Sequence, residues 1–283
     1  MSGALEEEQR LLKNVLDRLY KEYDFNANML SDPIEFPHNF RTSRDIEAAG
    51  FISSCLAYGK VDLFKPVLRK IVTLMGRSPY DFLINFSLTK HRHLFAAISY
   101  RFNNSDDITA LVYVMHQVLK RYGSIEAIFK QHYRDSHSTI EHGLNGLVDT
   151  FLDTNTSAVY GRKSKPRGFI QFFPSPKKGS GCKRMNLFLR WMIRDRDIDF
   201  GIWKDVPKNK LLIPLDTHIA RISKCFGLTK RVTQDWKMAA EITGALKRFD
   251  PEDPLKYDFA LCHQGISKLC SKMNCKDCRI RDI

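Results

Sequence analysis

Apolar residues recur at helical spacing along most of the chain. Leu5, Leu12, Val15, Leu16, Leu19 and Tyr23 predict one amphipathic helix over residues 4–23. Asp32-Pro33 through Phe36-Pro37 break the pattern, because proline has no N–H to donate and restricts the residue before it. From Asp45 a strongly apolar helix covers Ala48–Leu56 and ends at Tyr58-Gly59. Further helical patterns follow at 63–75, 78–86, 94–102, 108–122, 124–133 and 138–152. Residues 153–182 form a long connection rich in proline, glycine, serine and basic residues, and 199–210 are a second irregular stretch in which Trp203 offers a large face for packing. Helices then cover 185–193 and 217–222, and resume around 235–249 and 257–267. No ladder of alternating β-branched residues and no Asn-Gly hairpin is present, so the expected fold is all-α.

The chain has 283 residues, of which 43% are hydrophobic, enough for a packed core in one large or two modest domains. No apolar run approaches the length of a membrane span, and the N-terminus leads into Glu6-Glu7-Glu8 rather than a basic leader. The expectation is a soluble, cytoplasmic protein that acts as a monomer. Its 45 Lys plus Arg outnumber 32 Asp plus Glu, a formal charge of +13, which favours a polyanionic partner. Residues 161–184 concentrate that charge: Arg162, Lys163, Lys165, Arg167, Lys177, Lys178, Lys183 and Arg184 occur with no acid among them.

Two short segments carry the candidate chemistry. Gly179-Ser180-Gly181-Cys182-Lys183-Arg184 places a glycine pair before a lysine and a helix, which presents backbone N–H groups and the positive end of a helix dipole to a phosphate. Leu212-Ile213-Pro214-Leu215-Asp216-Thr217-His218 places an aspartate before the next helix. Taken singly, Asp216 reads as an N-cap and Lys183 as a surface lysine.

Together, Gly179-Ser180-Gly181-Cys182-Lys183 and Pro214-Leu215-Asp216-Thr217-His218-Ile219 resemble the Gly-x-Gly-x-Lys hairpin and apolar-Asp-x-His segment of the helix-hairpin-helix DNA glycosylases, typified by endonuclease III and the 8-oxoguanine glycosylases. The wider resemblance is to domain of unknown function 2400, carried by Ala57-Tyr58-Gly59-Lys60, Phe172-Phe173-Pro174-Ser175-Pro176, Phe188-Leu189-Arg190-Trp191-Met192 and Lys256-Tyr257-Asp258-Phe259-Ala260. Two departures stand out. Pro176-Lys177-Lys178-Gly179 replaces the Leu-Pro-Gly opening of the hairpin, and Lys183 and Asp216 lie 33 positions apart, which is more than in endonuclease III and similar to the archaeal 8-oxoguanine glycosylases.

The resemblance implies a two-lobed helical fold with the cleft between the lobes. One lobe, 45–178, is a helical barrel, and the other is built from 1–44 plus 179–283. It implies a DNA glycosylase with apurinic-site lyase activity that acts on a damaged base such as an oxidised purine. Lys183 would be the nucleophile, its pKa lowered by burial or by Arg184, and Asp216 would relay the proton. DNA would be held by Gly179, Ser180, Gly181, Lys177, Lys178, Arg184 and His218, with Tyr58 and Lys60 filling or lining the gap left by a flipped base; Tyr58 reads equally as a core residue. The rival readings are a DNA-binding module without catalysis and an enzyme acting on RNA.

Seven cysteines without an export signal argue against a disulfide framework. Cys270, Cys275 and Cys278, spaced Cys-x4-Cys-x2-Cys, resemble the iron–sulfur cluster loop of endonuclease III without its closing cysteine. The expectation is no metal or cofactor. The alternative is an iron–sulfur or zinc site completed by Cys262, whose neighbours Phe259, Leu261 and Ile266 suggest a helix facing the core.

Overall fold

The computed structural model describes residues 2–266. Within them the chain forms fifteen α-helices and no β-strand, only isolated bridges at Tyr100–Asn103 and Ser180–Asp235. The N-terminal half runs α1 (Ser2–Glu22), α2 (Phe25–Met29), α3 (Ser43–Leu56), α4 (Val61–Met75), α5 (Pro79–Ile84), α6 (Leu88–Phe95), α7 (Ser105–Tyr122), α8 (Ile125–His132) and α9 (Glu141–Asp153). Two short helices follow, α10 (Ser157–Tyr160) and α11 (Arg167–Ile170), then α12 (Lys183–Ile193), α13 (Thr217–Cys225), α14 (Trp236–Lys247) and α15 (Asp258–Ile266). No helix among the described residues is long and apolar enough to cross a membrane.

Local chemistry explains most of the boundaries. Thr42, Ser78, Ser124, Asp216 and Asp235 each accept a backbone N–H at a helix start, and Asn104 with Asp107 forms a reciprocal capping box. Helix α3 is the centre of the core, with every residue from Asp45 to Leu56 buried, and it packs on α12, whose residues 185–193 are equally enclosed. Buried apolar side chains from Leu16 to Leu261 form one continuous cluster, to which both 45–178 and the remaining segments contribute.

The structure departs from the sequence expectation in two places. The helix expected over 94–102 lies earlier, as α6; Ile98 and Tyr100 are buried from a turn, which mimics helical spacing. The connection 153–182 is not structureless. It contains α10 and α11 and buries Val159, Phe169, Phe172 and Phe173. Trp203 packs: it is fully enclosed and donates its indole N–H to Glu47 Oε1 at 3.0 Å.

A buried ionic network fastens the second half of α12. Arg190 pairs with Asp199 (3.2 Å) and with Asp258 of α15 (2.5 Å). Arg194 pairs with Asp253, Asp199 and Asp197 at 3.0, 3.0 and 2.7 Å. Each guanidinium is taken out of water only because several carboxylates accept its hydrogens.

Candidate functional site

Lys183 opens α12 behind a hairpin held by backbone bonds. Gly179 has φ +74°, donates its N–H to Pro176 O at 2.8 Å, and accepts from Trp236 N–H at 3.3 Å. Cys182 sits at φ +48°, in the left-handed region that costs a non-glycine residue energy, immediately before the lysine. Asp216 caps α13. Its Oδ1 accepts the N–H groups of His218 and Ile219, both at 2.9 Å. Its Oδ2 lies 2.9 Å from Lys183 Nζ. The aspartate is therefore both a cap and the partner of the lysine, using a different oxygen for each.

The electrostatics run against one expectation. Burial pulls the Lys183 pKa down, but the Asp216 carboxylate, with Cys262 and Asp32 behind it, holds the pKa above the ordinary lysine value. Arg184 is not among the causes. Burial pushes Asp216 up, whereas Lys183 and the Ile219 N–H bring it below the usual carboxylate range. In the resting site the pair is an ammonium facing a carboxylate. Cys262 Sγ also approaches Asp216 Oδ2, at 3.8 Å, and burial followed by the aspartate charge raises the thiol well above its ordinary pKa. It therefore stays protonated and donates.

The pair opens into a cavity of about 400 Å³. Its walls come from residues 31–33, from the 57–64 segment, from α12 through Lys183, Leu187 and Arg190, from Pro214 to His218, and from α15 through Asp258, Phe259, Cys262 and His263. Arg190 anchors Asp258, whose pKa burial raises to about 6 against the opposing charge of Arg190. Among the described residues, no group of three or more His, Cys, Asp or Glu is arranged to hold a metal ion. Cys262 lies in the cavity wall; Cys270, Cys275 and Cys278 fall outside the described residues.

The remaining candidates separate into two sets. Lys60, exposed at the start of α4, and His218 both line the cavity, and Lys178 is exposed beside the hairpin. Gly179 has open space around a would-be side chain, and its constraint is the positive φ. A Cβ at Gly181 would meet only ordinary contacts, with Leu215 at 3.5 Å and the 234–235 backbone, so Gly181 is not required there by close packing. Ser180 turns inward to bridge Asp235, while its hydroxyl accepts the Cys182 N–H at 3.2 Å. Lys177 is tied to Asp149 at 2.5 Å. Arg184 is turned inward: it donates to the carbonyls of Cys55 (2.7 Å) and Gln171, and its guanidinium lies 5.2 Å from the Tyr58 ring centroid. Tyr58 is half-buried, its hydroxyl 2.6 Å from Asn103 Oδ1. It is a packing residue on which other groups rest.

Sequence reading missed the residue that rests on it. Phe102 is 66% exposed and lies parallel to Tyr58, 10° between planes and 6.4 Å between centroids. It sits at the tip of a turn closed by reciprocal Tyr100–Asn103 bonds of 2.8 Å, with Arg101 at φ +48°. Asp32 and His263, both in the cavity wall, were missed as well. The Asp32-Pro33 pair carried the only signal, and it reads as a helix break.

A protein-family model described as "Protein of unknown function (DUF2400)" matches residues 32–267. No curated protein and no solved structure matches the chain.

Proposed function

We propose that the chain, which belongs to this DUF2400 family, is a DNA glycosylase with apurinic-site lyase activity, in a two-lobed helix-hairpin-helix arrangement. The observation that carries the reading is the 2.9 Å contact between Lys183 Nζ and Asp216 Oδ2 at the wall of a cavity of about 400 Å³, large enough for an extruded base. An amine for attack and a carboxylate to receive its proton are the two groups that the reaction needs.

Lys183 passes a proton to Asp216 and its lone pair attacks C1′ of the flipped nucleotide. The C1′–N bond to the base breaks, and its electron pair leaves with the base, which takes up the proton held by Asp216. The new C1′–Nζ bond becomes a Schiff base once the sugar ring opens. Asp216, ionised again once it has protonated the base, balances the positive charge of the Schiff base. The exposed basic residues Lys178, Arg167, Arg162 and Lys163, which make no ion pair among the described residues, supply phosphate contacts. The protein works as a monomer on cytoplasmic DNA, with oxidised purine as the favoured class of lesion.

Borohydride reduction tests the reading directly. Incubation with duplexes carrying an abasic or oxidised-purine site should yield a covalent protein–DNA adduct, and Lys183→Gln should abolish it. Equal trapping by wild type and Lys183→Gln would remove the nucleophile. If no substrate on a lesion panel is trapped, the binding-module reading replaces the enzyme, and its closed Lys183–Asp216 pair becomes a structural ion pair.

A further inference from the structure

Most polar atoms of the cavity are already engaged. Asp216 uses one oxygen for two N–H groups and the other for Lys183 and Cys262. Asp258 holds Arg190. Asp258 Oδ1 and, on the exposed rim, the side chains of Lys60 and Asp62 make no hydrogen bond with the described residues; Asp32 and His263 are the two part-exposed groups that keep an unused atom. Asp32 accepts the Ile34 N–H through Oδ1 at 2.9 Å, and its second oxygen takes no hydrogen bond from the described residues. His263 donates from Nδ1 to the Phe259 carbonyl at 3.0 Å, which leaves Nε2 without a proton in the neutral ring.

Both remaining atoms are acceptors. The two groups are close enough that Asp32 is the first charge opposing the burial that lowers the His263 pKa. That lowering keeps the imidazole neutral and Nε2 a lone pair. Burial raises Asp32, with the Arg190 charge next in size and opposing it. N–H donors arriving from a ligand would favour its ionised form. The rest of the wall is apolar at Phe259, Leu187 and Phe64, which suits the faces of an aromatic ring.

Resting on the glycosylase reading, we infer that Asp32 and His263 select the extruded base by accepting two adjacent N–H groups. Among the common bases, adenine and cytosine each present one amino group on the pairing edge, and thymine one ring N–H. Only a guanine-type ring presents a ring N–H beside an amino group, N1–H and N2–H2, and oxidation at C8 leaves that edge intact. The pair is thus built for guanine or its C8-oxidised form.

The test compares release of 8-oxoguanine with release of 8-oxohypoxanthine, which differs only by the missing 2-amino group. Wild type should release the former at least about fivefold faster, the lower end of what one lost base contact is worth. Asp32→Ser keeps an N-cap acceptor but withdraws the second oxygen, and His263→Phe keeps the ring packed on Phe259 but removes Nε2. The variant that loses the acceptor for the 2-amino group should bring the ratio of rates toward one, and the other, which loses the acceptor for the N1–H that both bases carry, should slow both releases alike. A damaged fold would show as a lowered melting temperature, which separates it from the loss of an acceptor. A wild type that is trapped by borohydride at an abasic site but shows no preference, or a pair of variants that both keep the preference, would overturn this inference alone. A wild type that is trapped on nothing would overturn it together with the proposed reaction.

Discussion

Lys183 and Cys262 meet on one atom, Oδ2 of Asp216, the lysine at 2.9 Å and the thiol at 3.8 Å. The carboxylate that receives a proton in the proposed reaction is therefore crowded by two donors in the resting site. It is the leading opposite charge among those that together reverse the effect of burial on the lysine.

The pH profile of trapping should report that influence. Asp216→Asn removes the charge that raises the Lys183 pKa and leaves burial, which lowers it. Trapping at a preformed abasic site should then reach its half-maximum at lower pH than in wild type. The amide still caps α13, so melting should change little. An unmoved profile would mean that Asp216 does not set the protonation of Lys183.

Arg184 should behave as a structural residue. Arg184→Ala leaves the carbonyls of Cys55 and Gln171 without a donor inside the protein and removes the cation over Tyr58. A loss of about 2–4 kcal/mol in urea unfolding is expected from two buried acceptors. A variant that melts like wild type and loses only DNA affinity would show the side chain reaching the ligand instead.

Salt dependence should separate the two hairpin lysines. Lys178 is exposed, whereas Lys177 is held by Asp149 at 2.5 Å. Lys178→Ala should lower the magnitude of the slope of log affinity against log salt by about one, and Lys177→Ala by less. Equal slopes in both variants and wild type would take the hairpin away from the phosphates.

Phe102→Ala should cost almost no stability, within about 0.5 kcal/mol, because the ring is mostly in water. On a duplex with an abasic site it should weaken binding roughly tenfold, the scale of one base–aromatic stack. Fluorescence titration and thermal melting on the same preparation would decide between a contact residue and an idle one.

Glu47 provides a stability test far from the cavity. It accepts the N–H groups of Ile125, Glu126 and the Trp203 indole, and burial raises its pKa to about 7. Its folded pKa lies above the unfolded value, so the folded state holds the extra proton between about 4.3 and 7. Stability from this group is complete below that window and falls as pH rises through it. Glu47→Gln should flatten the melting temperature between pH 5 and about 8; a curve parallel to wild type would assign the pH dependence elsewhere.

Only the resemblance joined Lys183 and Asp216 as a pair, whereas local signals at a helix start made Asp216 legible as an N-cap and Lys183 as the opening of a helix. Nearly every long helix was legible for the same reason. Other features depended on distance. Arg190 finds Asp258 68 residues away and Arg194 finds Asp253 59 residues away, and nothing in either neighbourhood marks the pairing. Phe102 was absorbed into an apolar pattern that came from a turn. Asp32 was hidden by the proline beside it, which accounts for the break and conceals the side chain's position in the cavity wall.

The bonds from Arg190 to Asp258 and from Arg194 to Asp253 join α12 to α15 and the segment before it. Freeing either helix would strand a buried charge, at a cost of several kcal/mol. In native-state hydrogen exchange the amides of these two helices should therefore share one opening free energy and belong to a single cooperative unit. The wall that carries the lysine and the wall that carries Cys262 and His263 loosen together or not at all.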